Sequence, residues 1–322
     1  IVLLDADTGE RISYWAELDA QAPEGDQLLM VHPAVSLPEG HRIVVALRSL
    51  KDADGNLIEG TEAFAAALDG TPEPLERARH FREILTLLND AGVSPVEMYV
   101  AWDFTVASAE SLSGRLLHAR DVAYAGLAGA APAFTITEQR DDTAAGVRVV
   151  DGTYEVPNFL TGDGAPGSTY LLGDDGLPEQ STTQPTYTAP FHCTLPLQAA
   201  QVRPTIVYGH GLLGDRFESD ALAFAASAGL AGVCATDEIG MNADDVANLA
   251  GILSDLSRFP EQADRLQQGL LNQQFLGRLL NAADGFATSP AFQAADGRPL
   301  ITIGETVFVG NSQGGILGGA AS

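Results

Sequence analysis

Short apolar runs, set apart by turn-forming residues, dominate the first hundred positions. They predict strands over 14–18, 27–31 and 42–47, the last marked by the β-branched run Ile43-Val44-Val45. Pro23-Glu24-Gly25-Asp26, Pro38-Glu39-Gly40 and the stretch 52–56 supply the turns between them. Asp52, Asp54 and Asn56 alternate as calcium ligands do, but no acid closes the loop at the EF-hand spacing, so a hairpin turn is expected. From 74 to 90 the period changes. Leu75, Ala78, Phe81, Ile84, Leu85 and Leu88 recur at three and four, and Gly92 is placed to stop the helix. Met98, Val100, Trp102 and Phe104 share one face of a strand over 96–106, and a second helix is expected over 111–126. His80 and His118, on these two helices, read as surface or satisfied histidines.

The later half has a different rhythm. Residues 132–159 are strand-rich, and 161–190 is a glycine- and proline-rich irregular connection or long hairpin with a mobile tip. Strand character resumes over 186–196, and Gln201-Val202-Arg203-Pro204 leads into the apolar run 205–208. A small-residue helix over 221–228 is followed by Gly232-Val233-Cys234-Ala235-Thr236, a short run of the fully buried, parallel kind. Asp237 and Glu238 at its carboxyl end lie where active-site groups gather in open α/β sheets; a structural role for Asp237 is expected ahead of a catalytic partnership. Residues 242–286 are helical and longer than one crossover helix needs, so the surplus is either a lid or extra packing. Val307-Phe308-Val309 reads as a short buried strand, with a helix of small residues after it.

Between that strand and that helix stands Gly310-Asn311-Ser312-Gln313-Gly314. The G-x-S-x-G pattern is a sharp strand-to-helix turn that lifts one serine above a sheet edge. Its demand is steric: the serine backbone is strained, and the positions two before and two after it must be nearly free of side chain so that strand and helix can pass closely. A second motif, Gly209-His210-Gly211-Leu212-Leu213-Gly214, follows the earlier apolar run. Acyl transfer through a serine needs main-chain N–H groups aimed at the oxygen that becomes negative. The candidates are Gln313, next to the serine, and Leu212 in the earlier loop. His210, Gly211, Gly310 and Gly314 are then structural members of the two motifs. No set of side chains has metal-ligand spacing, and no cofactor is expected.

Gly-His-Gly-Leu-Leu-Gly followed by Gly-Asn-Ser-Gln-Gly-Gly resembles the α/β-hydrolase superfamily, in particular its bacterial lipase and esterase branch; the resemblance spans roughly residues 200–322. It implies a mostly parallel sheet flanked by helices, an ester or acyl substrate, Ser312 as nucleophile, and main-chain donors at Leu212 and Gln313. The wording from Pro33 through Leu37-Pro38-Glu39-Gly40-His41-Arg42-Ile43-Val44-Val45 to Asp54-Gly55 is similar to a bacterial immunoglobulin-like module. The expected organisation is therefore a β-rich module with two helices over 1–130 and the N-terminal portion of a hydrolase domain over 131–322. There is one departure. The family's order is serine, then acid, then histidine, and only ten residues follow Ser312. His32, His41, His80, His118, His192 and His210 all precede it, and none is well placed as the base. The expectation is that acid and base lie in a segment beyond Ser322, or in a second chain that completes the site.

Composition narrows the partners. Hydrophobic content of 45% with 19% charged residues is globular. The net charge of −26 comes from 43 acids against 17 bases, of which only Lys51 is lysine. A surface of that sign repels nucleic acid and anionic lipid; solubility accounts for it, and adaptation to high salt is the sharper alternative. Cys193 and Cys234 are either a disulfide of a secreted protein or two buried thiols. The composite expectation is a secreted serine esterase or lipase of the extracellular space or cell envelope, acting on a small-molecule or lipid ester. The alternative is a non-catalytic binding or assembly protein on the same scaffold.

Overall fold

The computed structural model describes residues 1–23, 25–70, 74–197 and 203–322. The turn expected at Glu24 and the lead-in at Gln201-Val202 lie outside the described residues. The chain divides into two compact units, Ile1–Leu112 and Ser113–Ser322. That division falls earlier than the 130/131 expected from sequence. Ala119 and Ala123, in the helix within which it falls, belong to the large core of the second unit.

In the first unit, β1 (Val2–Asp5), β4 (Arg42–Arg48) and β5 (Met98–Thr105) form an antiparallel sheet in the order β1-β4-β5, and β2 (Tyr14–Leu18) pairs with β3 (Leu29–Pro33). Alternation along β4 decides what each face meets. Val44 and Ala46 pack with Phe64 and Ala67 of α1 (Glu62–Leu68) and with Ile84 and Leu88 of α2 (Leu75–Asp90). Ile43 and Val45 meet Tyr14 and Val31 of the β2–β3 pair. An immunoglobulin-like sandwich needs two sheets face to face; here two helices cover one face, and the immunoglobulin-like expectation gains no support. Both β1 and α1 escaped the sequence reading. Thr61 caps α1, its hydroxyl accepting from the Phe64 N–H at 3.3 Å. The Asp52 turn is as expected, with its carboxylate accepting from the N–H groups of Asp54 and Asn56.

The second unit opens with most of α3 (Ala109–Leu127). It contains β6 (Phe134–Asp142), β7 (Val147–Pro157), β8 (Thr186–Pro196), β9 (Arg203–Gly209), α4 (Ala223–Ser227), β10 (Gly232–Thr236), α5 (Val246–Ser254), α6 (Pro260–Asn281), β11 (Ile301–Gly310) and α7 (Gln313–Ala321). The sheet order is β11-β9-β10-β8-β7-β6. It is a mixed α/β sheet, and this corrects the mostly parallel expectation. β9 runs parallel to β10 and β11, while β6/β7, β7/β8 and β8/β10 are antiparallel. The cause is the connections: helices return the chain between β9, β10 and β11, whereas a tight turn joins β6 to β7.

The helical stretch over 242–286 breaks at Leu256–Arg258, and the second piece, α6, presents Phe275, Leu276, Leu279 and Leu280 to the core. Phe191, Phe286 and Phe292 complete that layer. The 161–190 stretch is fastened at its base: Asp264 of α6 accepts from the Tyr170 N–H at 2.9 Å, and Asn158 binds the carbonyls of Gly162 and Gln184. No helix of the described residues is long and apolar enough to cross a membrane.

Cys193 and Cys234 face each other in the β8/β10 ladder and are joined as a disulfide. The bond closes a separation of 41 residues in a fully buried position. Chain-entropy reasoning gives it about 4 kcal/mol. The double variant Cys193→Ala/Cys234→Ala is expected to lose about that much in urea unfolding, with an m-value equal to or above that of the bridged protein because its unfolded chain is less constrained.

Candidate functional site

The carboxyl ends of β9, β10 and β11 converge, and the two sequence motifs sit on them. The Gly310 register partner is Gly209, the Asn311 N–H donates to the Gly209 carbonyl at 3.0 Å, and the Gly314 N–H donates to the His210 carbonyl at 3.0 Å. The loops are thus stitched together through main chain on both sides of Ser312. Ser312 itself has φ 50° and ψ −111°, a left-handed conformation that L-residues avoid, and it stands exposed as the N-cap of α7. The flanking glycines have no alternative. A Cβ on Gly310 would collide with the Gly314 backbone, one on Gly314 with the Gly209 carbonyl, and one on Gly318 with the Phe308 ring.

The Ser312 hydroxyl has no hydrogen-bond partner among the described residues. Gln313 is the first residue of α7, so its N–H has no acceptor within the helix. Leu212 is exposed, and its N–H too is uncommitted among the described residues, whereas Leu213, at φ 57°, donates to the Met241 carbonyl at 3.1 Å. His210 is fully buried and spent on structure. Nδ1 donates to the Gly211 carbonyl at 2.8 Å and Nε2 accepts from the Glu238 N–H at 2.9 Å, which ties the β9 loop to the β10 loop. Four other histidines meet acids elsewhere: His32 with Glu17, His41 with Asp5, His80 with Asp103, and His192 with Asp151 and Asp220. None bonds Ser312. Asp237 holds both the N–H and the guanidinium of Arg216, at 2.8 and 2.7 Å, a structural use as expected.

Two acids bracket the serine: Glu218, which the sequence does not single out, and Glu238, which it places at the carboxyl end of β10. Glu218 accepts from Asn311 Nδ2 at 2.8 Å, the Tyr208 hydroxyl at 2.9 Å and the Gly211 N–H at 3.0 Å. Burial pushes its carboxyl up, but these donors together outweigh burial and hold it below the ordinary value. Tyr208 is pushed up to about 12, first by burial and then by its bond to Glu218. On the other side, Glu238 is 1% exposed and accepts from Gln273 Nε2 at 2.5 Å and Gln313 Nε2 at 3.1 Å. Burial raises its carboxyl above the usual value, and the two amides only partly offset that. Glu218 stands seven places after Gly211, a spacing that flags an acid folding back on the His-Gly loop. Glu238 adjoins Asp237, and the strand-end position of the pair is the signal for both.

A cavity of about 560 Å³ between α3, α6 and β11 is lined by Tyr124, Gln273, Arg278 and Phe308 and does not reach Ser312. A second, of about 360 Å³, opens beside Arg216, Asp237, Asn242, Tyr187 and Arg265 on the carboxyl side of β10. Asp5, Asp7 and His41 lie close enough together for a cation, but their carboxylates already accept from the main chain and His41.

No family model matches the chain, and no curated protein does. Among solved structures it is similar to an acetyl xylan esterase from Paenibacillus sp. R4 (18% identity, TM-score 0.35, covering 65% of this chain and 55% of that one). It is similar also to acetyl xylan esterase 1 from Thermoanaerobacterium sp. JW/SL YS485 (14%, 0.36, 65% and 52%). A third is a putative acetyl xylan esterase from Bacteroides fragilis NCTC 9343 (10%, 0.34, 66% and 51%). The chain spans about half the length of each. At these TM-scores the functional reading rests on the site's own geometry.

Two measurements follow from that geometry. Gly314→Ala is expected to unfold the second unit or cost several kcal/mol, in the range of severe overpacking. Gly319→Ala, where an added Cβ meets nothing within 4 Å, is expected to stabilise by up to about 1 kcal/mol through helix propensity; urea unfolding of both variants checks the contrast. For Glu238 the folded value lies above the unfolded one. Its contribution to stability is therefore most favourable at or below the ordinary carboxylate value and is lost as pH rises through the raised value. Glu238→Gln, with Gln273 and Gln313 free to turn their unpartnered buried oxygens toward the new amide, should remove the part of the decline that sets in as pH rises above the ordinary carboxylate value.

Proposed function

We propose that this chain carries the nucleophile and oxyanion site of a secreted serine hydrolase of α/β-hydrolase type that cleaves carboxylic esters. Ser312 Oγ attacks the ester carbonyl, its proton passes to a base, and the carbonyl oxygen takes the electron pair. The Leu212 and Gln313 N–H groups stabilise that oxygen. Collapse expels the alcohol, which takes up the proton from the base, and water then releases the acid from the acyl-serine by the same route. The observation that carries the reading is the exposed Ser312 at φ 50°, held on a turn whose glycines exclude side chains and joined by main-chain hydrogen bonds to the Gly209-His210 loop that leads to Leu212.

The base and its acid come, in this reading, from a further segment or a second chain. Five of the six histidines are engaged elsewhere, and β11 is an edge of the described sheet. Its Val307 and Val309, expected to be buried, are exposed at 52% and 41% on the face opposite Phe308, which packs against the core. The outer edge of β11 has no strand partner among the described residues, and an added strand would pair its free main-chain groups. The buried Cys193–Cys234 disulfide supports an oxidising, extracytoplasmic destination. The strong acidic charge disfavours nucleic acid as a partner. Substrates are small-molecule or lipid esters, with no cofactor.

A fluorophosphonate probe incubated with the full-length natural protein should label Ser312, as read by peptide mass spectrometry, and Ser312→Ala should abolish labelling. No labelling of the intact protein would reject the esterase in favour of a non-catalytic binding or assembly protein on this scaffold.

A further inference from the structure

The geometry points to Glu218 as the positioning residue that holds the oxyanion loop and the nucleophile turn in register; this rests on reading Ser312 as the nucleophile. Glu218 lies in the seven-residue 3-10 helix Arg216–Leu222, started by Asp215, whose carboxylate accepts from the Phe217 N–H at 2.9 Å. From there the side chain reaches back to two loops that are far apart in sequence. One oxygen accepts from Asn311, the residue before Ser312, and from Tyr208 on β9. The other accepts from the Gly211 N–H, the residue before Leu212. One carboxylate thus fixes the residues immediately preceding both the nucleophile and the candidate oxyanion donor. The close approach of Gly211 to this cluster leaves little slack: a Cβ there would lie 3.0 Å from Asn311 Nδ2 and 3.4 Å from Glu218 Oε2.

The chemistry explains why an acid stands there. All three groups that reach it are donors, and only an ionised carboxyl offers acceptor sites on both oxygens. Main-chain N–H groups in an oxyanion hole act through preorganisation, so a loop free to drift loses transition-state stabilisation before it loses ground-state binding. Glu218 touches neither substrate nor reacting atoms; it acts through Gly211 and Asn311. The variants therefore separate its two ties. Glu218→Gln keeps an oxygen for Asn311 and Tyr208 but turns an amide N–H against the Gly211 N–H, releasing the oxyanion loop alone. Asn311→Ala releases the serine turn alone, and Glu218→Ala releases both.

The test is p-nitrophenyl acetate hydrolysis by the full-length natural protein, each variant assayed well below its own unfolding temperature. Glu218→Ala is expected to lower kcat about 10²-fold, the scale of one lost oxyanion donor, with KM within about two-fold. Glu218→Gln should lose about ten-fold in kcat, and Asn311→Ala added to Glu218→Ala should cost nothing more, a non-additivity that marks one shared tie. If Glu218→Gln and Glu218→Ala are folded and keep wild-type kcat, the proposal is overturned. The same holds if the Asn311→Ala and Glu218→Ala losses multiply, or if the whole effect is a rise in KM. Should Glu218→Ala not fold, Glu218→Gln with its kcat and KM decides alone. If the wild type itself neither hydrolyses the ester nor takes a fluorophosphonate, the nucleophile reading fails, a result distinct from every outcome above.

Discussion

One backbone contact organises the second unit: the first turn of α7 lies directly on the end of β9, with no side chain between them. Gly209, Gly310 and Gly314 meet there main chain to main chain. The contact forces the strand to turn within three residues, and the turn is what puts Ser312 at positive φ. The strain is of order 1–3 kcal/mol for such a residue and persists only if its surroundings over-determine it. They do so here through the Asn311 and Gly314 N–H bonds to β9 and its loop, and through side-chain ties from Glu218 and Glu238 on either flank.

Those flanking acids answer to opposite environments. Glu218 is partly exposed and surrounded by donors, so ionisation is favoured. Glu238 is sealed under the turn, where burial disfavours its charge and the Gln273 and Gln313 amides and nearby His210 only partly offset that. The first suits a fixed acceptor that aligns loops. The second tethers Gln313, whose main chain is a candidate donor, to the β10 loop, where Met241 also accepts from the Gln313 amide at 3.3 Å. His210 joins the same loops from below, which is why a histidine in the motif is used up before it can serve as a base.

Much of this was legible from residue types alone because the constraint is steric. G-x-S-x-G after an apolar run, and His-Gly after another, announce two loops at strand ends, and the register between β9 and β11 brings them side by side. The parallel pairings were legible for the same reason, since helices separate those strands. The stretch 131–197 reads as the source of the sheet's first antiparallel strands, and β6, β7 and β8 pair that way; that they make up half the sheet depends on a tight turn and a long excursion. In the first unit, α1 is a seven-residue, alanine-rich helix with little periodicity to betray it, and its presence changes what the sheet packs against. Val307 and Val309 read as buried from composition; exposure depends on what packs on their face of β11, which apolarity cannot say. Glu218 was hidden, and Glu238 legible only by its place at a strand end, because their partners lie 93 and 75 residues away.

The central claim is that a serine oxygen and two main-chain amides from separate loops face one small space. The most direct measurement is a crystal structure of the full-length natural protein inhibited with a phosphonate that mimics the tetrahedral adduct. The account predicts phosphorus bonded to Ser312 Oγ, with one phosphonyl oxygen roughly 2.7–3.1 Å from both the Leu212 and Gln313 nitrogens. An adduct whose oxygen points to solvent while Leu212 turns away, or a phosphonate bound to a different serine, would contradict it.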